Sequence, residues 1–153
     1  MTGPRGLVKY MSYQDNLELV SLVGKTCSSI EINEDKTTIK LICDDGIYFL
    51  NATGDCCSES WFDHVSIGPY KYPFTFSAIK EIELGKVMAT RQEYDNIYGF
   101  EFSTEQGSVL IEMRNSSNGY YGGFLRISKE LILDQYNNAV SSDDMKFKKC
   151  DGF

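Results

Sequence analysis

The residues between Gly54 and His64 include the rarest and most reactive side chains of this chain. The run GDCCSESWFDH holds its single tryptophan, its single histidine and two of its five cysteines. Cys56 or Cys57 could act as a nucleophile with His64 as base, if a helix N-terminus lay beneath the thiol. The alternative is a structural turn that buries Trp61, because cysteine packs as a small apolar residue. No third residue that would orient the imidazole is evident, so no catalytic residue is assigned.

The same run supplies metal-ligand types in a poor arrangement. Zinc sites favour cysteine pairs separated by two to four residues, and adjacent cysteines cannot easily face one ion. The sequence has no second close cysteine pair and no histidine pair. We therefore expect neither a metal nor another cofactor.

A second run, RNSSNGYYGG at residues 114–123, has the composition of a recognition loop. Tyrosine offers rigid contact area, and serine and asparagine offer adaptable hydrogen bonds. Glycine-rich loops also expose backbone N–H groups to an anion, and Arg114 and Arg126 could pair with a phosphate. The alternative is a plain turn whose glycines adopt positive φ. If the protein binds a ligand or partner, the residues expected to contact it are Arg114, Asn115, Ser116, Asn118, Tyr120, Tyr121, Asp55, Ser58, Glu59 and Trp61.

Strand patterns surround both runs. Alternating apolar residues predict strands at 26–32, 37–43, 47–51, 78–84, 97–103, 108–114 and 124–128. Asp-Gly at 45–46 predicts a hairpin turn. Short helical turns are expected through 17–23 and after Asp55 or Ser58, and 129–136 also carries a helical pattern. The predicted fold class is mainly β: a compact, largely antiparallel sheet or barrel-like domain of about seven short strands with one or two short helices.

Composition divides the chain into a flexible N-terminal arm at 1–16, a single β-rich domain at 17–136 and a polar C-terminal tail at 137–153. No apolar run reaches the length of about 18 residues that spans a membrane, and no hydrophobic signal region is present. The net charge of −7, from 15 Lys+Arg and 22 Asp+Glu, disfavours direct binding to nucleic acid. It leaves open a basic protein as partner.

The two long runs occur together with GKT at 24–26 and DDG at 44–46. In this set of motifs the chain resembles a family of small phage- and prophage-encoded proteins of unknown function. The resemblance spans residues 22–127, and it implies no established catalytic residues. Together with the lack of an apolar span and of a signal region, it predicts a location in the host cytoplasm. We expect the two long motifs to meet on one surface or in one structural seam.

The resemblance favours binding over catalysis. We expect a counter-defence inhibitor that sequesters or blocks a host defence protein or a nucleotide-like signal. One alternative is a cysteine-dependent enzyme that uses Cys56 or Cys57 with His64. Another is an acidic decoy that occupies the basic nucleic-acid-binding groove of a host protein. Exposed strand edges would also favour a homo-oligomer, because a second copy would cover them.

Overall fold

The computed structural model of this chain describes residues 14–55, 57–88, 91–118, 122–130, 132–133, 139–140 and 145–150. These residues form twelve strands and one short 3-10 helix, Leu19–Leu22. The strands are β1 (Gln14–Leu17), β2 (Thr26–Asn33), β3 (Thr38–Cys43), β4 (Gly46–Gly54), β5 (Glu59–Ser66), β6 (Phe74–Met88), β7 (Tyr94–Thr104), β8 (Gly107–Ser117), β9 (Gly123–Lys129), β10 (Ile132–Leu133), β11 (Ala139–Val140) and β12 (Phe147–Lys149). The predicted mainly β fold class is confirmed.

Ten of the strands belong to one open antiparallel sheet. Its main path has nine strands in the order β1-β9-β4-β3-β2-β6-β7-β8-β5, and β12 pairs with β2 beside this path. β10 and β11 form a separate pair. The main path has nine strands where seven were expected, because two segments expected to be arm and helix, β1 and β5, are extended.

The sheet consists of two halves that share one hydrophobic core. Between β2 and β6 only two pairs of residues are in register, Thr26 with Thr75 and Cys27 with Phe74. The core draws on strands of both halves, so the sheet folds back at this narrow joint and covers its own inner faces. Burial of a large apolar side chain stabilises the fold by about 1.5–3 kcal/mol. The largest fully buried side chains are Phe62, Phe74, Phe76, Phe100, Phe102, Leu22, Ile30, Ile39, Leu41, Leu50, Ile67 and Ile111.

Two of the expected helical segments are corrected. The segment 17–23 keeps a single 3-10 turn, Leu19–Leu22, and Gly24 follows it at φ 90°. The segment after Ser58 is strand β5, so the helix predicted there was wrong. A bulge between Phe62 and His64 shifts the register of β5 against β8. Because a bulge breaks the alternation of side chains, the run resembled a helical pattern in the sequence.

The predicted arm and tail both contribute strands where they are described. β1 starts at Gln14 and pairs with β9. β12 pairs with β2, and the next residue, Cys150, donates its N–H to Ile30 O at 2.7 Å. The helical pattern at 129–136 coincides with the end of β9 and with β10. Residues 1–13 of the arm and 134–138 lie outside the described residues. Over the ranges that are described, no helix is long and apolar enough to cross a membrane.

An ionic cluster fastens the turn between β3 and β4 to neighbouring segments. Asp45 accepts hydrogen bonds from Lys25 Nζ at 2.6 Å and from Tyr48 Oη at 2.9 Å, and Lys129 Nζ lies 3.7 Å from the same carboxylate. The hydrogen bond from Lys25 holds the pKa of Asp45 below its ordinary value, against the opposing effect of burial. The same bond raises the pKa of Lys25.

This cluster predicts a small, acid-sensitive contribution to stability. Asp45→Asn should lower the free energy of unfolding at neutral pH by less than about 1 kcal/mol, because both partners are partly exposed. A carboxylate with a depressed folded pKa stabilises the fold above its unfolded pKa of about 4, and this stabilisation is lost as pH falls through the folded pKa. Urea unfolding at neutral and acidic pH should therefore show the difference between wild type and Asp45→Asn closing in acid. A difference that persists in acid would contradict the assignment.

Candidate functional site

The two long motifs meet at one end of the sheet, as expected from the sequence. Gly54 of β4 pairs with Gly123 of β9, and β5 pairs with the end of β8. Between these strands, Asn115 Nδ2 donates to Ser58 Oγ at 3.0 Å and to Ser60 Oγ at 2.8 Å. We call these five residues the motif seam. They join the GDCCSESW run to the RNSSNGYYGG run through direct side-chain contact.

The motif seam is tightly packed, and its three polar side chains are buried. Asn115 is fully buried, and Ser60 Oγ donates onward to Thr53 O at 3.0 Å. A Cβ atom on Gly123 would lie 2.6 Å from Ser60 Oγ and 2.9 Å from Asn115 Cβ, so only glycine fits there. Within the described ranges, Asn115 Oδ1 has no hydrogen-bond partner. The seam therefore holds the strands together, and it leaves no room for a side chain at Gly123.

A second cluster lies on the outer side of β5 and β8. We call it the Trp61 face, and its residues are Glu59, Trp61, Asp63, Arg91 and Arg114. Trp61 and Arg114 are opposite each other in the register of β5 with β8. The Arg91 guanidinium lies 3.8 Å from the centre of the Trp61 ring, and its Nη1 lies 3.8 Å from Glu59 Oε1. Trp61 is only 8% exposed beneath this cation, whereas half of the Arg91 side chain remains in solvent.

A short segment before β7 positions Arg91 over this face. Gln92 N donates to Ser116 Oγ at 2.8 Å, and Gln92 Nε2 donates to Cys57 O at 3.0 Å. Glu93 N donates to Ser117 O at 3.0 Å. These bonds attach residues 91–93 to both long motifs. Sequence reasoning missed this segment because the contacts join residues 24 or more positions apart and no motif marks them.

Arg114 bridges two carboxylates of different exposure. Its Nη1 donates to Asp95 Oδ2 at 3.1 Å, and its Nε lies 3.3 Å from Asp63 Oδ2. The side chain of Asp95 is fully buried, whereas that of Asp63 is 44% exposed. A buried carboxylate requires a paired cation, so Asp95 fixes the position of the Arg114 guanidinium. Asp95 was not among the predicted site residues, and nothing in its sequence neighbourhood distinguishes it.

The structure places the predicted binding residues in different environments. Asn115, Ser116, Ser58 and Trp61 are buried, Arg114 is half-buried, and Asp55, Glu59 and Asn118 are exposed. Tyr120 and Tyr121 lie outside the described residues. The first part of the expected loop is the end of strand β8, which runs through Ser117. It is extended because β5 and β7 pair with it on either side.

The cysteine–histidine pair considered in the sequence is separated by an extended strand. Cys57 lies in the turn before β5 with φ 68°, and His64 lies near the far end of β5. The strand advances roughly 16 Å between Glu59 and His64 alone. Cys57 and His64 are therefore too far apart to exchange a proton directly. Cys56 lies outside the described residues.

Two further cysteines lie in the core of the sheet. Cys27 and Cys43 are opposite each other in β2 and β3, and both are buried. Hydrogen bonding with Cys27, together with burial, raises the pKa of the Cys43 thiol. Thiols buried in this way are poor nucleophiles. In the part of the chain that the structure describes, no group of three or more His, Cys, Asp or Glu side chains could hold a metal ion.

The fold and both clusters define an antiparallel β domain in which two sequence motifs form a closed seam beside an arginine- and tryptophan-bearing face. The chain belongs to the family described as a domain of unknown function (DUF7448), which matches residues 20–127. It is also 30% identical over 111 residues to the uncharacterized protein L278 of Acanthamoeba polyphaga mimivirus, covering 67% of this chain and 86% of that relative. No solved structure matches this chain significantly. The motif seam and the Trp61 face both lie within the family match.

Proposed function

We propose that this chain is a virus-encoded binding protein, of phage or prophage origin, that blocks a host defence protein in the host cytoplasm. The observation that carries the proposal is the Trp61 face, where Arg91 stacks on Trp61 and Arg114 is held beside it. Similarity to a protein of a mimivirus supports a viral source. The phage origin and the host defence target are taken from the family that the sequence motifs resemble.

The composition of the Trp61 face is suited to protein recognition. Tryptophan and arginine are the residue types most enriched among those that dominate binding energy in protein interfaces. Glu59 and Asp63 add partly exposed carboxylates, so the exposed groups of the face are the Arg91 guanidinium and two acidic side chains, with Trp61 buried beneath Arg91. Because ion pairs and the ring contact already order both arginines, a partner would lose little side-chain entropy on binding.

The same contacts favour a protein over a nucleotide as the ligand. A phosphate would have to compete with Asp95 and Asp63 for the guanidinium of Arg114. The hydroxyl groups of Ser58 and Ser60 already accept hydrogen bonds from Asn115 Nδ2 inside the motif seam. A protein partner could use Arg91 and the edge of Trp61 without displacing these bonds.

The proposal is tested by capture of host proteins on the immobilised chain, followed by mass spectrometry. We expect wild type to retain a specific host protein and Arg91→Glu to weaken this complex at least about tenfold, because it removes the cation that covers Trp61 and repels Glu59. Lys71→Glu is the matched control, since Lys71 is an exposed lysine in the loop between β5 and β6 and undergoes the same charge change. Unfolding midpoints of both variants should match that of wild type.

Three results would count against this function. Retention of the same partner by wild type and Arg91→Glu with equal affinity would exclude the Trp61 face. Absence of any specifically retained host protein would contradict a binding role toward the host. Binding that vanishes at high salt and responds equally to both charge reversals would instead support the acidic-decoy alternative.

A further inference from the structure

We propose that a groove between β5 and β12 binds an extended, acidic segment of another protein, which adds as a strand between their edges. The groove has a volume of about 440 Å³, within the range of cavities that bind ligands. Its floor is apolar and includes Ile32, Phe62 and Val65, and its rim carries Lys36, Lys148 and Lys149. We call it the lysine groove. It shares only Asp63 with the Trp61 face, and this inference does not depend on that face binding a host protein.

Two strand edges border the lysine groove. β5 pairs with β8 on one side, and on its other side Phe62 N donates to Lys36 O at 2.7 Å. β12 pairs with β2 on one side only, as far as the described residues extend. In an antiparallel ladder, neighbouring residues direct their N–H and C=O groups to opposite edges. Because Cys150 N donates to Ile30 O, the backbone groups of Lys149 are directed away from β2, toward the groove edge of β12.

Exposed backbone edges of this kind bind peptides by strand addition. The main-chain hydrogen bonds supply affinity, and alternate side chains of the peptide select the sequence. In the lysine groove one face of an added strand would meet the apolar floor formed by Ile32, Phe62 and Val65. The opposite face and the two ends of the added strand would contact the lysines of the rim. The expected segment therefore alternates apolar residues with acidic ones.

The charge of the groove supports an acidic occupant. The whole chain has a net charge of −7, yet Lys36, Lys148 and Lys149 all line the groove. The Lys149 ammonium also lies 4.7 Å from the centre of the Tyr72 ring. The one carboxylate of the lining, Asp63, is 3.3 Å from Arg114 Nε and is partly neutralised by it. A neighbouring cavity of about 380 Å³ shares Ile32, Lys36 and Lys148 with the groove and adds Lys146. The lining of this cavity also includes Glu34, so the continuation of the groove along β12 carries three lysines and one carboxylate.

Binding of a synthetic peptide to the full chain tests the inference. The probe is a fluorescent heptapeptide that alternates glutamate with valine, compared with its lysine–valine counterpart. We expect the acidic peptide to bind and the basic one not to bind. Lys148→Glu should weaken binding about tenfold, because it reverses a charge on the groove rim, whereas Lys71→Glu should leave it unchanged. An acidic peptide with N-methyl groups on alternate residues should lose binding, because it cannot complete the ladder.

Each other outcome would overturn the inference. Absence of binding at millimolar acidic peptide, or equal binding of both peptides, would exclude a selective acidic site. Full affinity of the N-methylated peptide would exclude strand addition. Binding of a single-stranded oligonucleotide in preference to the peptide would identify a polyanion surface instead. A dimer in light scattering that is lost in Lys148→Glu and is unaffected by peptide would assign the groove to a second copy of this chain.

Discussion

Replacing Arg114 by methionine is expected to lower the free energy of unfolding by about 3–5 kcal/mol, because it removes a cation that is ion-paired with a buried carboxylate. Asp95 is fully buried, and its Oδ2 accepts from Arg114 Nη1 at 3.1 Å. Methionine keeps much of the aliphatic length of arginine, so lost packing is a minor part of the change. Urea unfolding followed by tryptophan fluorescence measures the effect, since Trp61 is the single tryptophan and lies opposite Arg114.

Two further variants separate the buried charge from other causes. Asp63→Asn removes the other carboxylate at Arg114 and should cost less than about 1 kcal/mol, because that side chain is 44% exposed. Adding Asp95→Asn to Arg114→Met should recover more than half of the loss, because the buried negative charge that Arg114 balanced is removed as well. If the double variant is no more stable than Arg114→Met, the loss comes from packing and the assigned role of the ion pair is wrong.

The same ion pair illustrates what the sequence could not reveal. Asp95 and Arg114 are 19 positions apart, and they meet because β7 and β8 pair in one particular register. Residues 115–117 have the composition of a loop, yet two neighbouring strands make them the end of β8. β12 has three residues, too few to display a period of two. Each of these features depends on contacts with segments distant in the chain, and local composition does not predict such contacts.

Features set by neighbouring residues were predictable. The Asp45-Gly46 turn was expected from its chemistry, and Gly46 opens β4 with φ 147°, a conformation that favours glycine. Alternating apolar residues predicted the inner faces of β7 and β8. In the structure Phe100 of β7 pairs with Ile111 of β8, and Phe102 pairs with Val109. These hairpins are local, so a period of two and one turn determine them. The contact between the two long motifs was expected only because they form one set in the resembled family.

The motif seam predicts a large effect for the smallest possible substitution. Gly123→Ala should lower the free energy of unfolding by about 1–3 kcal/mol, because the added methyl group overpacks a closed space. The added methyl carbon would lie 2.6 Å from Ser60 Oγ and 2.9 Å from Asn115 Cβ. Asn115 Cβ is bonded directly to the backbone, so a side-chain rotation cannot move it away. Relief therefore requires movement of β8 relative to β9, which would also disturb the hydrogen bonds from Asn115.

Gly122→Ala is the matched control for this prediction, since its added carbon would meet only Tyr98 Oη, at 3.1 Å, and that hydroxyl is the far end of a side chain. Both variants reduce the entropy of the unfolded chain alike, so the difference between their unfolding free energies isolates the contact inside the seam.

Adding Ser60→Ala to Gly123→Ala should recover part of the loss through a favourable coupling energy. Equal stability of Gly123→Ala and Gly122→Ala would mean that β8 and β9 can separate at little cost. The two motifs would then lie side by side without holding β8 and β9 together. Their joint occurrence would have to be explained by a ligand that contacts both motifs.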